Sequence, residues 1–167
     1  MCNVSQLVNN INTLFLTREE RLVLTTVFHV FDMYKSHQGG RSVRLVCDAP
    51  SITAAAEPGS GEPSRRTNLK NSLWGLGGSA SVREKTLVLT VVNPHASEAR
   101  EADVSLRGGT AKSAQVTVLT APDIHAHNDF DQPAAVVPKT RTAAVSGGRF
   151  AWTFPAASVT KFEITLE

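Results

Sequence analysis

The sequence predicts a mainly β chain, an antiparallel β-sandwich over residues 41–167 behind a helical stretch over residues 1–40. Three observations predict it. The hydrophobic period is helical before Gly40 and becomes two after it. Five later segments alternate apolar with polar residues, or run apolar on both faces, as strands do. Asn93-Pro94, Gly108-Gly109 and Gly147-Gly148 separate those segments, punctuation that suits a sandwich better than an interleaved α/β fold. A block of helix followed by a block of strands fits two structural units.

Val4, Leu7, Val8, Ile11, Leu14 and Phe15 recur at helical spacing, while Asn12 to Leu16 fits a short buried strand equally well. Thr17 with Glu20 three residues on fits a capping box, in which hydroxyl and carboxylate satisfy free amides at a helix start. Leu24, Val27, Phe28, Phe31 and Tyr34 repeat the helical period, and Gly39-Gly40 ends it. Beyond, Leu87 to Val92 is apolar on both faces and so predicts a central strand. Val104 and Leu106, then Val116 and Val118, then Phe150, Trp152 and Phe154 alternate with polar or small neighbours. Phe162, Ile164 and Leu166 point one way in the last strand, and Lys161, Glu163, Thr165 and Glu167 the other. Ala49 to Asn71 holds Pro50, Pro58, Gly59, Gly61 and Pro63 among small polar residues, has no period, and reads as a flexible surface loop.

The 167 residues suffice for one domain, or one domain with a remnant of another. Hydrophobic residues at 41% and charged residues at 19% are ordinary for a globular chain. A net charge of +2 is too small to argue for a nucleic-acid or membrane-surface partner, and neither is expected. No apolar run approaches the roughly twenty residues of a membrane span. The N-terminus lacks a basic flank before an apolar stretch, so no signal peptide is expected. Cys2 and Cys47 are too few for a secreted disulfide scaffold. Two reduced thiols in a cytoplasmic protein are expected, with a Cys2–Cys47 bridge as the alternative.

The most distinctive run is Leu119-Thr120, six residues, then His127-Asn128-Asp129-Phe130-Asp131-Gln132-Pro133. With Thr25 to Tyr34 it resembles the C-terminal part of the family 51 glycoside hydrolases, the α-L-arabinofuranosidases. There a line of that form ends one strand of a jelly-roll-like β-sandwich behind a catalytic (β/α)8 barrel. Residues 1–40 then correspond to the last βα unit of a truncated barrel, and 41–167 to the sandwich with its loop at 49–71. The resemblance runs from about Asn3 to Glu167 and departs at Pro50 to Lys70 and at the start, Met1. In the family a short N-terminal segment also joins the sandwich, so an unpaired, aggregation-prone sheet edge is expected here.

Ser5-Gln6-Leu7-Val8-Asn9 followed by Leu14-Phe15-Leu16-Thr17 is similar to the family's segment carrying a substrate-binding glutamine. The resemblance assigns that role to Gln6, whose amide offers a donor and an acceptor to sugar oxygens. His29 reads as a packed helix histidine. Retaining glycoside hydrolysis needs two carboxyl groups about 5–5.5 Å apart. The family's acid/base glutamate directly follows an asparagine, and no Asn-Glu pair occurs in this chain. No glutamate here takes either role, and a barrel also needs all its strands. The chain alone is expected to be inactive, as the C-terminal portion of an enzyme releasing terminal α-L-arabinofuranosides from arabinan or arabinoxylan. The implied partners are that glycan through the complete enzyme, the rest of the barrel, and further copies in a homo-oligomer. No cofactor and no metal are implied.

Asp123, His125, His127, Asp129 and Asp131 on an extended segment suit a zinc-like ion, but lack a ligand spacing and equally suit turn-forming hydrogen bonds. Trp152, alternating with Phe150 and Phe154, reads as core. Trp74, among Gly75, Gly77 and Gly78, reads as buried under the long loop, with an exposed sugar-stacking ring as the alternative. Those glycines make no dinucleotide fingerprint, since no strand-then-helix context surrounds them. A stand-alone carbohydrate-binding or interaction sandwich is the alternative function.

Overall fold

The computed structural model describes residues 6–53, 72–145 and 147–167. It opens with a hairpin of β1 (Phe15–Arg18) and β2 (Arg21–Leu24), followed by helix α1 (Thr26–Tyr34) and a 3-10 turn (Lys35–His37). The strands β3 (Arg41–Val43), β4 (Ile52–Thr53), β5 (Ser72–Leu73), β6 (Gly77–Arg83) and β7 (Thr86–Asn93) come next. They are followed by β8 (Arg100–Ser105), β9 (Ala111–Leu119), β10 (Lys139–Ala143), β11 (Arg149–Phe154) and β12 (Ser158–Leu166). A six-stranded antiparallel sheet runs β10-β9-β12-β7-β6-β3. β8 and β11 form a second ladder, pairing Phe150 with Val104 and Phe154 with Arg100.

The core lies between these sheets because alternation places one apolar set from each on the same side. Phe162 on β12 stands opposite Leu89 of β7 and Val116 of β9. It is fully buried, with the rings of Phe150, Trp152 and Phe154 from the second ladder at 5.5, 5.1 and 6.3 Å. These contacts join the two sheets into a sandwich, and they put Trp152 on its inner face as its spacing predicts. β7 is flanked by β12 and β6 and carries buried residues on both faces, the central strand that its composition predicts. Among the described residues, β8 and β11 pair only with each other. Beside β8 a groove of about 900 Å3 opens between the sheets, lined by Val43, Leu45, Val82, Leu89, Val104 and Leu106.

Four expectations need correction. Residues 6–14 contain no helix: Asn9 and Asn12 take left-handed backbone (φ 50° and 57°), which interrupts the helical pattern. The strand alternative comes closer, since Phe15 begins β1 and Val8 bridges to it. Thr17 and Glu20 make no capping box, because Thr17 pairs with Leu22 inside the hairpin and Glu19 (φ 54°) turns it. The helix is capped instead by Thr25, whose hydroxyl accepts from the Phe28 amide at 3.3 Å and donates to the Thr13 carbonyl at 2.7 Å. Ile52–Thr53, assigned to the loop, pairs with Ser72–Leu73. Residues 54–71 of that loop, and Cys2, lie outside the described residues.

The fourth correction is Trp74, which is 71% exposed instead of buried. Leu76, two residues on, takes the place in the core. Gly39 (φ 72°) ends the helical segment as its composition predicts. β6 and β10 are strands that period alone misses. One begins Gly-Gly-Ser-Ala and the other is a polar edge strand, Lys-Thr-Arg-Thr-Ala.

Candidate functional site

Gln6 lies in an irregular segment held by the backbone of its neighbours. The Leu7 carbonyl accepts from the amides of Leu14 at 3.1 Å and Phe15 at 3.0 Å. Asn9 pins the same segment to the hairpin, its side chain accepting from the Thr17 amide at 2.8 Å and donating to the Thr17 carbonyl at 3.0 Å. Gln6 itself is exposed, and its Oε1 accepts from Asn10 Nδ2 at 2.7 Å. Asn10 Oδ1 in turn accepts from the Ile11 amide at 2.7 Å. Around Gln6 the apolar side chains of Leu7, Val8 and Ile11 are exposed, and Ile11 reaches 80%.

The run from Thr120 to Val136 packs against the hairpin and helix. Asn128, 3% exposed, donates to the carbonyls of Leu24 and Val136, each at 2.9 Å, and accepts from the Val136 amide at 2.7 Å. Every polar atom of its amide is therefore engaged except one lone pair. Phe130 lies under the guanidinium of Arg18, 4.3 Å from the ring centre, with Arg21 at 5.2 Å. Arg21 also donates to the Phe130 carbonyl. Met33, Leu119 and Val136 close a small apolar cluster between helix and loop.

Asp123 and Asp129 hold turns with their carboxylates. Asp123 accepts from the His125 amide at 2.9 Å, and Asp129 from the amides of Asp131 and Gln132 at 2.9 and 2.6 Å. The Gln132 amide holds the Asp129 carboxyl below its usual range. His127 donates Nδ1–H to the His125 carbonyl at 2.9 Å, while its Nε2 lies 4.0 Å from Asp129. Among the described residues, no group of three His, Cys, Asp or Glu side chains is placed to hold a metal. Among the described residues Cys47 has no disulfide partner. Helix residue His29 packs against Phe28, their rings 5.6 Å apart, and burial lowers its pKa.

A second histidine escaped the sequence reading. His37 reaches the outer face of the large sheet, with Nδ1 2.7 Å from Ser81 Oγ and Nε2 2.9 Å from Thr90 Oγ1. Burial, and then the nearby Lys161, lower its pKa. Neither Asn128 nor His37 stands out by spacing. The single available signal is an asparagine among aspartates, a side chain able both to donate and to accept.

A two-sheet antiparallel sandwich with a hairpin and helix pinned against it is the class of protein that fold and site define. The chain belongs to the alpha-L-arabinofuranosidase C-terminal domain family, whose sequence model matches residues 1–158. An intracellular exo-alpha-L-arabinofuranosidase of Bacteroides ovatus is 27% identical over 98% of the chain. An extracellular exo-alpha-L-arabinofuranosidase of Streptomyces chartreusis is 34% identical over 72% of it. The chain spans 30% and 13% of the lengths of these two relatives. In structure it is similar to the GH51 arabinofuranosidase of Xanthomonas axonopodis pv. citri, with a TM-score of 0.84 and 26% identity. That match covers 99% of this chain and 31% of the other. The Thermotoga maritima α-L-arabinofuranosidase, solved as an arabinose complex, matches with a TM-score of 0.75 and 26% identity, over 97% of this chain and 33% of its own. No helix among the described residues is long and apolar enough to cross a membrane.

Proposed function

We propose that this chain is the C-terminal portion of a non-reducing-end α-L-arabinofuranosidase that hydrolyses terminal arabinofuranosides of arabinan or arabinoxylan with retention. The carrying observation is the family match over residues 1–158, in a chain that spans less than a third of its relatives' lengths. In this reading the catalytic carboxylates come from the rest of the barrel, which covers Leu7, Val8 and Ile11. Gln6 hydrogen-bonds the sugar beside the scissile bond. The sandwich packs against the barrel and against further copies in a homo-oligomer, and the enzyme works in the cytoplasm, as the Bacteroides relative's intracellular description supports.

The test compares this chain with the same residues joined to a complete barrel, on an aryl α-L-arabinofuranoside. The chain alone is expected to release no aryl alcohol above buffer. The joined enzyme is expected to be active, and to lose activity on Gln6→Ala. Activity that follows the purified chain through chromatography would overturn the reading. A second reading, a free-standing carbohydrate-binding sandwich, is favoured by one observation: Trp74 is 71% exposed.

A further inference from the structure

Trp74 is exposed but not loose. Its neighbours on both sides are fixed: Leu73 pairs with Ile52 in the short β4–β5 ladder, and Leu76 is buried in the core. Gly75 between them is pressed against Pro50, where a Cβ would lie 2.0 Å from the Pro50 carbonyl oxygen. The indole then lies directly on the backbone of Gly77. A Cβ at Gly77 would sit 2.5 Å from Cε3 and 2.9 Å from Cζ3 of the ring. Gly77 in turn is fixed by its pairing with Val92 in the large sheet. The ring is thus seated on main chain that cannot yield easily.

Tryptophan is among the largest apolar side chains, so leaving one on the surface forgoes a large stabilisation. A seat built from backbone, with glycine at the point of contact, holds the ring in one orientation in advance of any ligand. A protein partner needs an interface of about 1,000 Å2 or more. A single sugar ring needs only a flat apolar surface of its own size, against which its C–H face lies on the electron-rich ring. Among the described residues next to the ring in sequence, Leu73 to Ser79 and Ala49 to Thr53 carry no charge. That favours a neutral ligand over a nucleotide, a phosphate or a charged peptide.

We propose that Trp74, seated on Gly77, is the stacking platform of an accessory site for a neutral pentose-based glycan, one ring of an arabinan or arabinoxylan chain lying on the exposed indole face. The choice of pentosan rests on the proposed function, whereas the platform rests on the geometry alone. The site would hold a polymer near the enzyme without taking part in bond cleavage.

Affinity electrophoresis of the 167-residue chain through gels containing arabinan, arabinoxylan or dextran tests this. Wild type should be retarded by a pentosan more than by dextran. Trp74→Ala should lower the apparent affinity by about tenfold, the scale of one aromatic stacking contact. Trp74→Tyr should retain part of it. Trp152 fluorescence reports whether each variant has folded. Should Trp74→Ala fail to fold, N-bromosuccinimide oxidation of wild type serves instead, and pentosan should slow the reaction of Trp74. Retardation unchanged by Trp74→Ala overturns the proposal, as does the absence of both retardation and protection. Loss of self-association in Trp74→Ala with no glycan effect overturns it too, and assigns the ring to a contact between copies. A chain that binds pentosan through Trp74, in an enzyme that cleaves no arabinofuranoside, would sink the hydrolase reading and leave the platform standing.

Discussion

Asn128→Ala should cost far more stability than an exposed loop position would. The side chain is 3% exposed and makes three hydrogen bonds, two to carbonyls on opposite sides and one from the Val136 amide. A buried hydrogen bond contributes about 1 kcal/mol net, and a partner left unsatisfied adds to the loss. Three bonds therefore give about 3 kcal/mol, which for a chain of this size lowers Tm by about 6–12 °C. Urea unfolding followed by circular dichroism measures the first figure, and hydrogen exchange at the Val136 amide tests the locality of the effect. Asn128→Asp is a sharper probe. It keeps an acceptor for Val136, loses both donations and turns a carboxylate towards two carbonyls. Its carboxyl pKa should rise in the folded state, so this variant's stability is retained below the ordinary carboxyl range near 4 and lost as pH rises through it. An Asn128→Ala loss below about 0.5 kcal/mol, with Val136 protection unchanged, would refute the pin.

Two further outcomes follow from the core and from the outer sheet face. Phe162→Ala, at a fully buried ring surrounded by three aromatic side chains, should destabilise by about 3–5 kcal/mol in the same urea assay. His37 has its pKa lowered by burial and by Lys161, so the folded chain binds its proton less readily than the unfolded chain does. Stability should be full above about pH 6.5 and fall as pH drops below it; His37→Gln should flatten that slope relative to wild type in unfolding curves between pH 5 and 8.

The strands whose side chains alternate were legible because a pleat with one buried face imposes a period of two on the residues themselves. Phe150 to Phe154 and Phe162 to Leu166 are of this kind, and both lie where that pattern puts them. β10 was not legible, since a polar edge strand is defined by its hydrogen bonds to β9 and not by any burial its composition betrays. The opening segment misled for a related reason. Val4 to Phe15 has helical spacing, but local propensity is weak beside the bonds that Asn9 makes to Thr17, eight residues away in sequence. The candidate glutamine was legible only through its flanks, whereas the exposed apolar surface around it needed coordinates.

What the sequence by itself determined is therefore the family, the β-sandwich class and the identity of its central and last strands, all of which are written in local order along the chain. What only the tertiary structure decided is which polar side chains are buried and which large apolar ones are not. Asn128 and His37 lie within packed contacts, and Trp74 lies outside them on a glycine. Each depends on partners distant in sequence or on the exact approach of two backbones. A residue's own chemistry does not encode how close another segment will come.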